Sequence, residues 1–177
     1  IFYNEYIESV WYLLKQLHQK DLLYKGYTIQ PYSPAAGTGL SSHELNMPGP
    51  YRDVKDISVV AQFKVKRDEK SAFLFEDLED EPVHFLAWTT TPWTLPSNLA
   101  LALGPEIEYV KVADGSEQYI LAEERLATYY KSPEQYRVVQ KYRGKQLAGI
   151  EYQPLFPYFS SLRDKGAFRT YVADYVS

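Results

Sequence analysis

Cysteine is absent from the 177 residues, which excludes disulfides and thiolate metal sites. Histidine is scarce: His18, His43 and His84 stand far apart, with no H-x-x-x-H or comparable ligand spacing, so no metal site is expected. No apolar run approaches the ~18 residues that a membrane span needs, and no signal-peptide pattern opens the chain. These absences fit a protein of the reducing cytoplasm with no membrane partner. A basic excess is missing too, since 19 Lys and Arg face 23 Asp and Glu for a net charge of −4. A free-standing nucleic-acid binder gains most of its affinity by neutralising phosphates, so any RNA this chain meets must be held mainly elsewhere. An initiator Met is also lacking. The chain opens on Ile1 and ends on Val176-Ser177 without a terminating signal, and both ends read as cuts in a longer protein.

Aromatic residues are plentiful, with 17 Tyr, 8 Phe and 3 Trp. Such an excess favours β structure and half-buried surfaces whose phenols reach water. Hydrophobic residues at 45 % and charged residues at 24 % are ordinary for a globular chain of one or two domains. Residues 4–20 carry the best helical pattern: Ile7, Val10, Trp11, Leu14 and Leu17 share a face, Asn4 is placed to cap the start, and Gly26 lies past the end. Residues 27–50 have connector composition, including Pro48-Gly49-Pro50. Alternation then predicts strands at 57–66, 83–90, 99–103, 108–112, 118–121 and 136–142, with 71–75 pairing onto the first. A short helix is expected at 122–130, and the acidic run 76–81 reads as a solvated turn. The expectation is an α+β fold, mostly β, with a curved sheet or barrel and a few short helices. A helical stem and connector (1–45) would precede the main domain (46–177).

The chemistry gathers in Trp88-Thr89-Thr90-Thr91-Pro92-Trp93-Thr94-Leu95-Pro96-Ser97-Asn98. A strand runs into three threonines and breaks at Pro92, which cannot donate to a ladder and forces its predecessor extended. Four hydroxyls, one amide and two indoles are thereby collected at a strand end, on a loop stiffened by Pro92 and Pro96. Small hydroxyls beside rigid aromatic walls suit a pocket that measures a small apolar group, or one that orients a water. No neighbouring His, Lys or carboxylate is placed to activate a threonine. A core segment or a lid would look similar, so the residues offer a pocket without naming a reaction.

Residues 88–98 resemble the threonine-rich peptide of the isoleucyl-tRNA synthetases, members of the class I aminoacyl-tRNA synthetases. The likeness continues through Leu99-Ala100-Leu101-Ala102-Leu103-Gly104-Pro105 and Glu108-Tyr109-Val110. Glu8-Ser9-Val10-Trp11, Leu23-Tyr24-Lys25-Gly26-Tyr27 and Pro31-Tyr32-Ser33 are similar to the segment leaving that family's catalytic domain. Gly37-Thr38-Gly39-Leu40-Ser41-Ser42-His43-Glu44 and Tyr51-Arg52-Asp53-Val54-Lys55-Asp56 are similar to the entry of its inserted editing (CP1) domain. Valyl and leucyl relatives typically read Arg-Pro where this chain has Thr91-Pro92.

The resemblance implies an editing hydrolase. Isoleucine and valine differ by one methylene, which binding alone discriminates by only ~1–3 kcal/mol, so a second, smaller site hydrolyses valyl-tRNA(Ile) or valyl-adenylate. By carry-over, Thr89, Thr90, Thr91, Trp93 and Asn98 bind the substrate, and Thr91 and Asn98 serve the hydrolysis. The implied partners are a valine-like ligand and the tRNA(Ile) 3′ end, the tRNA being held mainly by other domains of a monomeric parent. No cofactor is implied for this part. ATP and magnesium belong to the synthetic site, whose His-x-Gly-His and Lys-Met-Ser-Lys-Ser motifs this chain lacks. The family completes its editing site with a later Gly-Thr-Gly and His-x-Ala-Pro segment and an aspartate, to which Asp174 does not correspond. The main domain is therefore expected to be C-terminally truncated, and weak or inactive alone. A module that binds valine-like ligands without turnover is the alternative. His43 and His84 have no matched role.

Overall fold

A computed structural model describes residues 3–76, 78 and 80–176. The chain divides into two compact units, Ile1–Val54 and Lys55–Ser177.

In the first unit, α1 spans Asn4–Gln19, with Tyr3 as the cap position and no capping side chain. Asn4 is thus the first helical residue rather than the cap that the sequence suggested. Asp21, not Gly26, ends the helix. Its φ of 55° is left-handed, and Asp21 N–H donates to the His18 carbonyl while Leu22 N–H donates to that of Leu17, the Schellman arrangement. Ile7, Val10, Trp11 and Leu17 are all exposed. The expected connector holds structure of its own. Strands β1 (Tyr32–Ser33) and β2 (Thr38–Gly39) pair antiparallel around Gly37. Helix α2 (Ser42–Leu45) then starts from a capping box in which Ser41 and Glu44 satisfy each other's N–H groups.

The second unit carries the sheets. Strand β3 (Val59–Lys64) buries Ala61 and Phe63 and exposes Gln62 and Lys64, as its alternation requires. It is shorter than the expected 57–66, because Ile57 is exposed and Val65 bridges Tyr152 instead. Residues 71–75 do not pair with it. Asp68 accepts N–H bonds from Lys70 and Ser71, and Ser71 Oγ donates to the Lys66 carbonyl. These local bonds wind Ala72–Leu74 into a 3-10 turn. Of the acidic run, Asp77 and Glu79 lie outside the described residues, while Leu78 is buried and its carbonyl accepts from Arg67.

Strand β4 (Val83–Thr89) lies antiparallel to β3, with Phe63 opposite Phe85 and Val59 opposite Thr89. After β5 (Ala100–Leu103), β6 (Glu108–Asp114) and β7 (Glu117–Ala122) form a hairpin turned at Gly115. A 3-10 turn at Glu123–Arg125 and α3 (Leu126–Tyr129) fill the expected helix. Strand β8 (Arg137–Arg143) closes a five-stranded sheet ordered β3-β4-β7-β6-β8, in which β4 and β7 run parallel. A last strand, β9 (Arg169–Val172), pairs parallel with β5 in a second sheet.

Residues 150–153 join the two sheets. Lys66 N–H donates to the Glu151 carbonyl and Gln153 N–H to that of Lys64, while Tyr152 N–H reaches Phe168. The α+β class is therefore met. Among the described residues the paired strands of this unit form two sheets, bridged through residues 151 and 152. The main core lies on one sheet face, around Phe63, Phe85, Ile120, Tyr152 and Phe168. A smaller cluster of Val110, Val112 and Leu121 lies on the other.

Glu151 also ties this junction electrostatically. Its carboxylate meets Lys66 Nζ at 3.1 Å, Arg163 at 3.2 Å and Arg169 at 3.3 Å. The Lys66 hydrogen bond, then the guanidinium groups, hold its pKa below the ordinary carboxylate value. A lowered folded pKa means that this stabilisation is present above the unfolded value and is lost as pH falls through the folded one. Glu151→Gln should cost about 2 kcal/mol at pH 7. Denaturant titrations should show the gap between variant and wild type closing as pH drops below about 4; a gap independent of pH would mean the carboxylate charge contributes nothing.

Candidate active site: the threonine-rich loop

Strand β4 sends Phe85 and Ala87 toward the main core, and Thr89 continues that alternation at the strand's last position. The ladder stops there, and Thr91 turns the chain with φ −122° and ψ 65°. Thr89 Oγ1 accepts the Thr91 N–H at 3.0 Å and lies 3.2 Å from Thr91 Oγ1. One hydroxyl thus orders the next, a side-chain version of a tight turn. Pro92–Ser97 then forms a 3-10 segment, compatible with Pro92 at its start because that position has no ladder N–H to lose. Thr94 N–H and Oγ1 both donate to the Thr91 carbonyl, at 3.0 and 2.7 Å. Leu95, half-buried, packs on the main core and pins the segment.

Asn98 ends the loop with its amide engaged at both ends. Nδ2 donates to the Ala100 carbonyl at 2.9 Å, and Oδ1 accepts from the Tyr152 hydroxyl at 2.7 Å. Tyr152 is fully buried, with ring contacts to Phe63 and Phe168, and burial pushes its phenol pKa well up.

The structure brings Thr89 and Thr91 into hydrogen-bonding distance and commits the Thr94 hydroxyl to the backbone. Thr90 is exposed just beyond β4, and Trp93 is 71 % exposed, so its ring stands against solvent. A neighbouring cavity of about 480 Å³ is lined by Leu86, Ala87, Trp88, Ala102, Leu103, Tyr109 and α3, but not by residues 89–98. His84 lies buried on β4 beside Tyr119, and burial lowers its pKa. The partner that sequence reasoning missed is Tyr152. It sits 54 residues from Asn98, and no local spacing signals such a bond.

The mixed α+β unit and its threonine-rich strand end belong to a class of protein that sequence comparison identifies. The model for class I tRNA synthetases (I, L, M and V) matches residues 1–154, and the chain belongs to that family. Within it, the chain is 53 % identical to the isoleucine--tRNA ligase of Cytophaga hutchinsonii, over 99 % of this chain and 17 % of that protein. It is 49 % identical to the isoleucine--tRNA ligase of Bacteroides fragilis, over 98 % of this chain and 16 % of that one. The chain therefore spans about a sixth of the curated relatives it matches. The solved structure of GlLeuRS-CP1 shares the fold, with a TM-score of 0.57 and 15 % identity over 68 % of this chain and 50 % of that one.

Proposed function

We propose that this chain is part of the editing domain of an isoleucyl-tRNA synthetase, and that it contributes one wall of a site that hydrolyses valyl-tRNA(Ile) and valyl-adenylate. The observation that carries this reading is the ordered loop from Thr89 to Asn98 at the end of β4, in a chain about half identical to isoleucine--tRNA ligases. An aminoacyl ester is already activated, so holding a water and polarising the carbonyl is most of what the protein must supply. Thr91 Oγ1 and the Asn98 amide are the hydrogen-bonding groups for that task. Thr89 orders Thr91, while Thr90 and Trp93 add contacts to the valine side chain or the terminal ribose. The 3′ end of tRNA(Ile) is the partner, held mainly by other domains of a monomeric, cytoplasmic enzyme. No cofactor is needed here, ATP and magnesium serving the synthetic site. No helix among the described residues is long and apolar enough to cross a membrane.

In the full-length synthetase, Thr91→Ala or Asn98→Ala should slow deacylation of valyl-tRNA(Ile) about ten- to a thousandfold while aminoacylation with isoleucine stays near normal. Equal loss of both activities would assign the loop a purely structural role. One observation favours a second reading, a binding module without turnover: the loop's polar groups are hydroxyls and an amide, none of them a base at neutral pH. Titration of the chain with non-hydrolysable valyl- and isoleucyl-adenosine analogues separates the readings. Preference for the valyl analogue together with no deacylation of valyl-tRNA(Ile) supports the module, and absence of any preference removes the size-sieve idea for this chain.

A further inference from the structure

The geometry points to Tyr152 as the positioning residue of the proposed editing site: its buried hydroxyl anchors the Oδ1 end of the Asn98 amide, whose NH2 the Ala100 carbonyl selects. The inference rests on the editing reading above and adds to it a residue outside the threonine-rich loop.

The hydrogen bonds admit one assignment. The Ala100 carbonyl can only accept, so the amide group 2.9 Å from it must be the NH2. Oδ1 therefore faces Tyr152, and at 2.7 Å the phenol is the donor. Burial raises the phenol pKa, so that proton stays in place across the working range of pH. Rotating the Asn98 amide by 180° would set two acceptors against each other at Ala100, while Tyr152, whose hydroxyl donates in the observed orientation, holds the Oδ1 end in place. The side chain is held in one of its two orientations, with the second Nδ2 hydrogen as its remaining donor. That hydrogen is the group able to meet a substrate carbonyl or a water, and its direction is set from outside the loop.

Tyr152 is itself rigidly placed. Its ring packs edge-on against Phe63, with centroids 5.1 Å apart, and against Phe168 at 6.3 Å. Its backbone N–H bonds Phe168, and the adjacent Glu151 is clamped by three cations. A two-sheet junction thus holds one hydroxyl against one amide, the kind of supporting shell that keeps a reacting group within a fraction of an ångström.

Tyr152→Phe keeps the ring packing and deletes only the donor. In the 177-residue chain, exchange of the Asn98 side-chain amide proton that bonds the Ala100 carbonyl, followed by NMR, should speed up at least about tenfold. In the full-length synthetase the same variant should lower kcat for valyl-tRNA(Ile) deacylation about tenfold or more, with KM within about twofold and aminoacylation unchanged. Added to Asn98→Ala, it should cost nothing further, since both remove one interaction. Unchanged amide exchange, unchanged kcat with Asn98→Ala active in the assay, or a multiplicative loss in the double variant each overturns the positioning role. If Asn98→Ala and Thr91→Ala are themselves silent, the editing reading fails first, and the inference fails with it.

Discussion

Gly144→Ala is expected to destabilise the second unit by about 3 kcal/mol or more, lowering its thermal midpoint by about 10 °C. Gly144 follows β8 and opens a 3-10 turn. Its N–H bonds the Ile107 carbonyl, the next residue bonds Pro105, and Ile107 N–H closes back onto Gly104. Two backbone segments therefore run against each other with no side chain between them. A Cβ on Gly144 would collide with the Gly104 carbonyl oxygen and come within 3.1 Å of the Tyr109 ring. The main obstacle is backbone, so no rotamer relieves it, and separating the segments would strip the hydrogen bonds that join β8 to the start of β6. Gly115→Ala is the matched control. Its φ of +60° strains an alanine, but nothing lies within 4 Å of the added carbon, so only about 1 kcal/mol is at stake. Equal losses for the two variants in denaturant unfolding would show that close backbone approach at Gly144 contributes nothing.

What the sequence made legible follows from the range of each signal. Alternation along 57–66, 83–90 and 108–112 marks strands because burial on one face acts every second residue, and those strands are present with ends shifted by a few residues. Strand β9 escaped notice because its four residues pair with β5, almost seventy positions earlier in sequence, and only two of them are even half-buried. Residues 71–75 looked apolar enough for a strand, yet the side chains of Asp68 and Ser71 hold the backbone locally and end the competition. The threonine-rich loop was legible as the end of a strand because Pro92 must break the ladder. Which hydroxyl orders which was not, since the bond from Thr89 to Thr91 depends on the turn at Thr91. Tyr152 read as one tyrosine among seventeen. Its position under Asn98 is fixed only when residues 150–153 cross between the sheets.

The largest kinetic effect expected concerns the chain taken alone. It should hydrolyse valyl-tRNA(Ile) about a hundred- to ten-thousandfold more slowly than the full-length synthetase, the range that a positioned acid or base contributes. Four titratable groups of the second unit, His84, Tyr152, Glu151 and Asp174, are each displaced from the loop or engaged elsewhere. His84 lies five positions before Thr89 and on the other face of β4, about 16 Å back along the strand. Tyr152 is near, but burial keeps its phenol protonated. Glu151 is adjacent to it, but three cations hold its carboxylate and lower its basicity. Asp174 follows the β9 end that pairs with Leu103, whereas Asn98 precedes Ala100 at the opposite end of β5, a separation of several residues along the strand. None of these four groups is therefore placed to take a proton from a water at the loop. Single-turnover deacylation by the chain and by the full-length enzyme measures the gap, and rates within tenfold of each other would mean that threonine hydroxyls and the tRNA ribose suffice. Added imidazole sharpens the test. If the full-length enzyme supplies a base that this chain does not, a small diffusible base should accelerate the chain and leave the full-length enzyme unchanged.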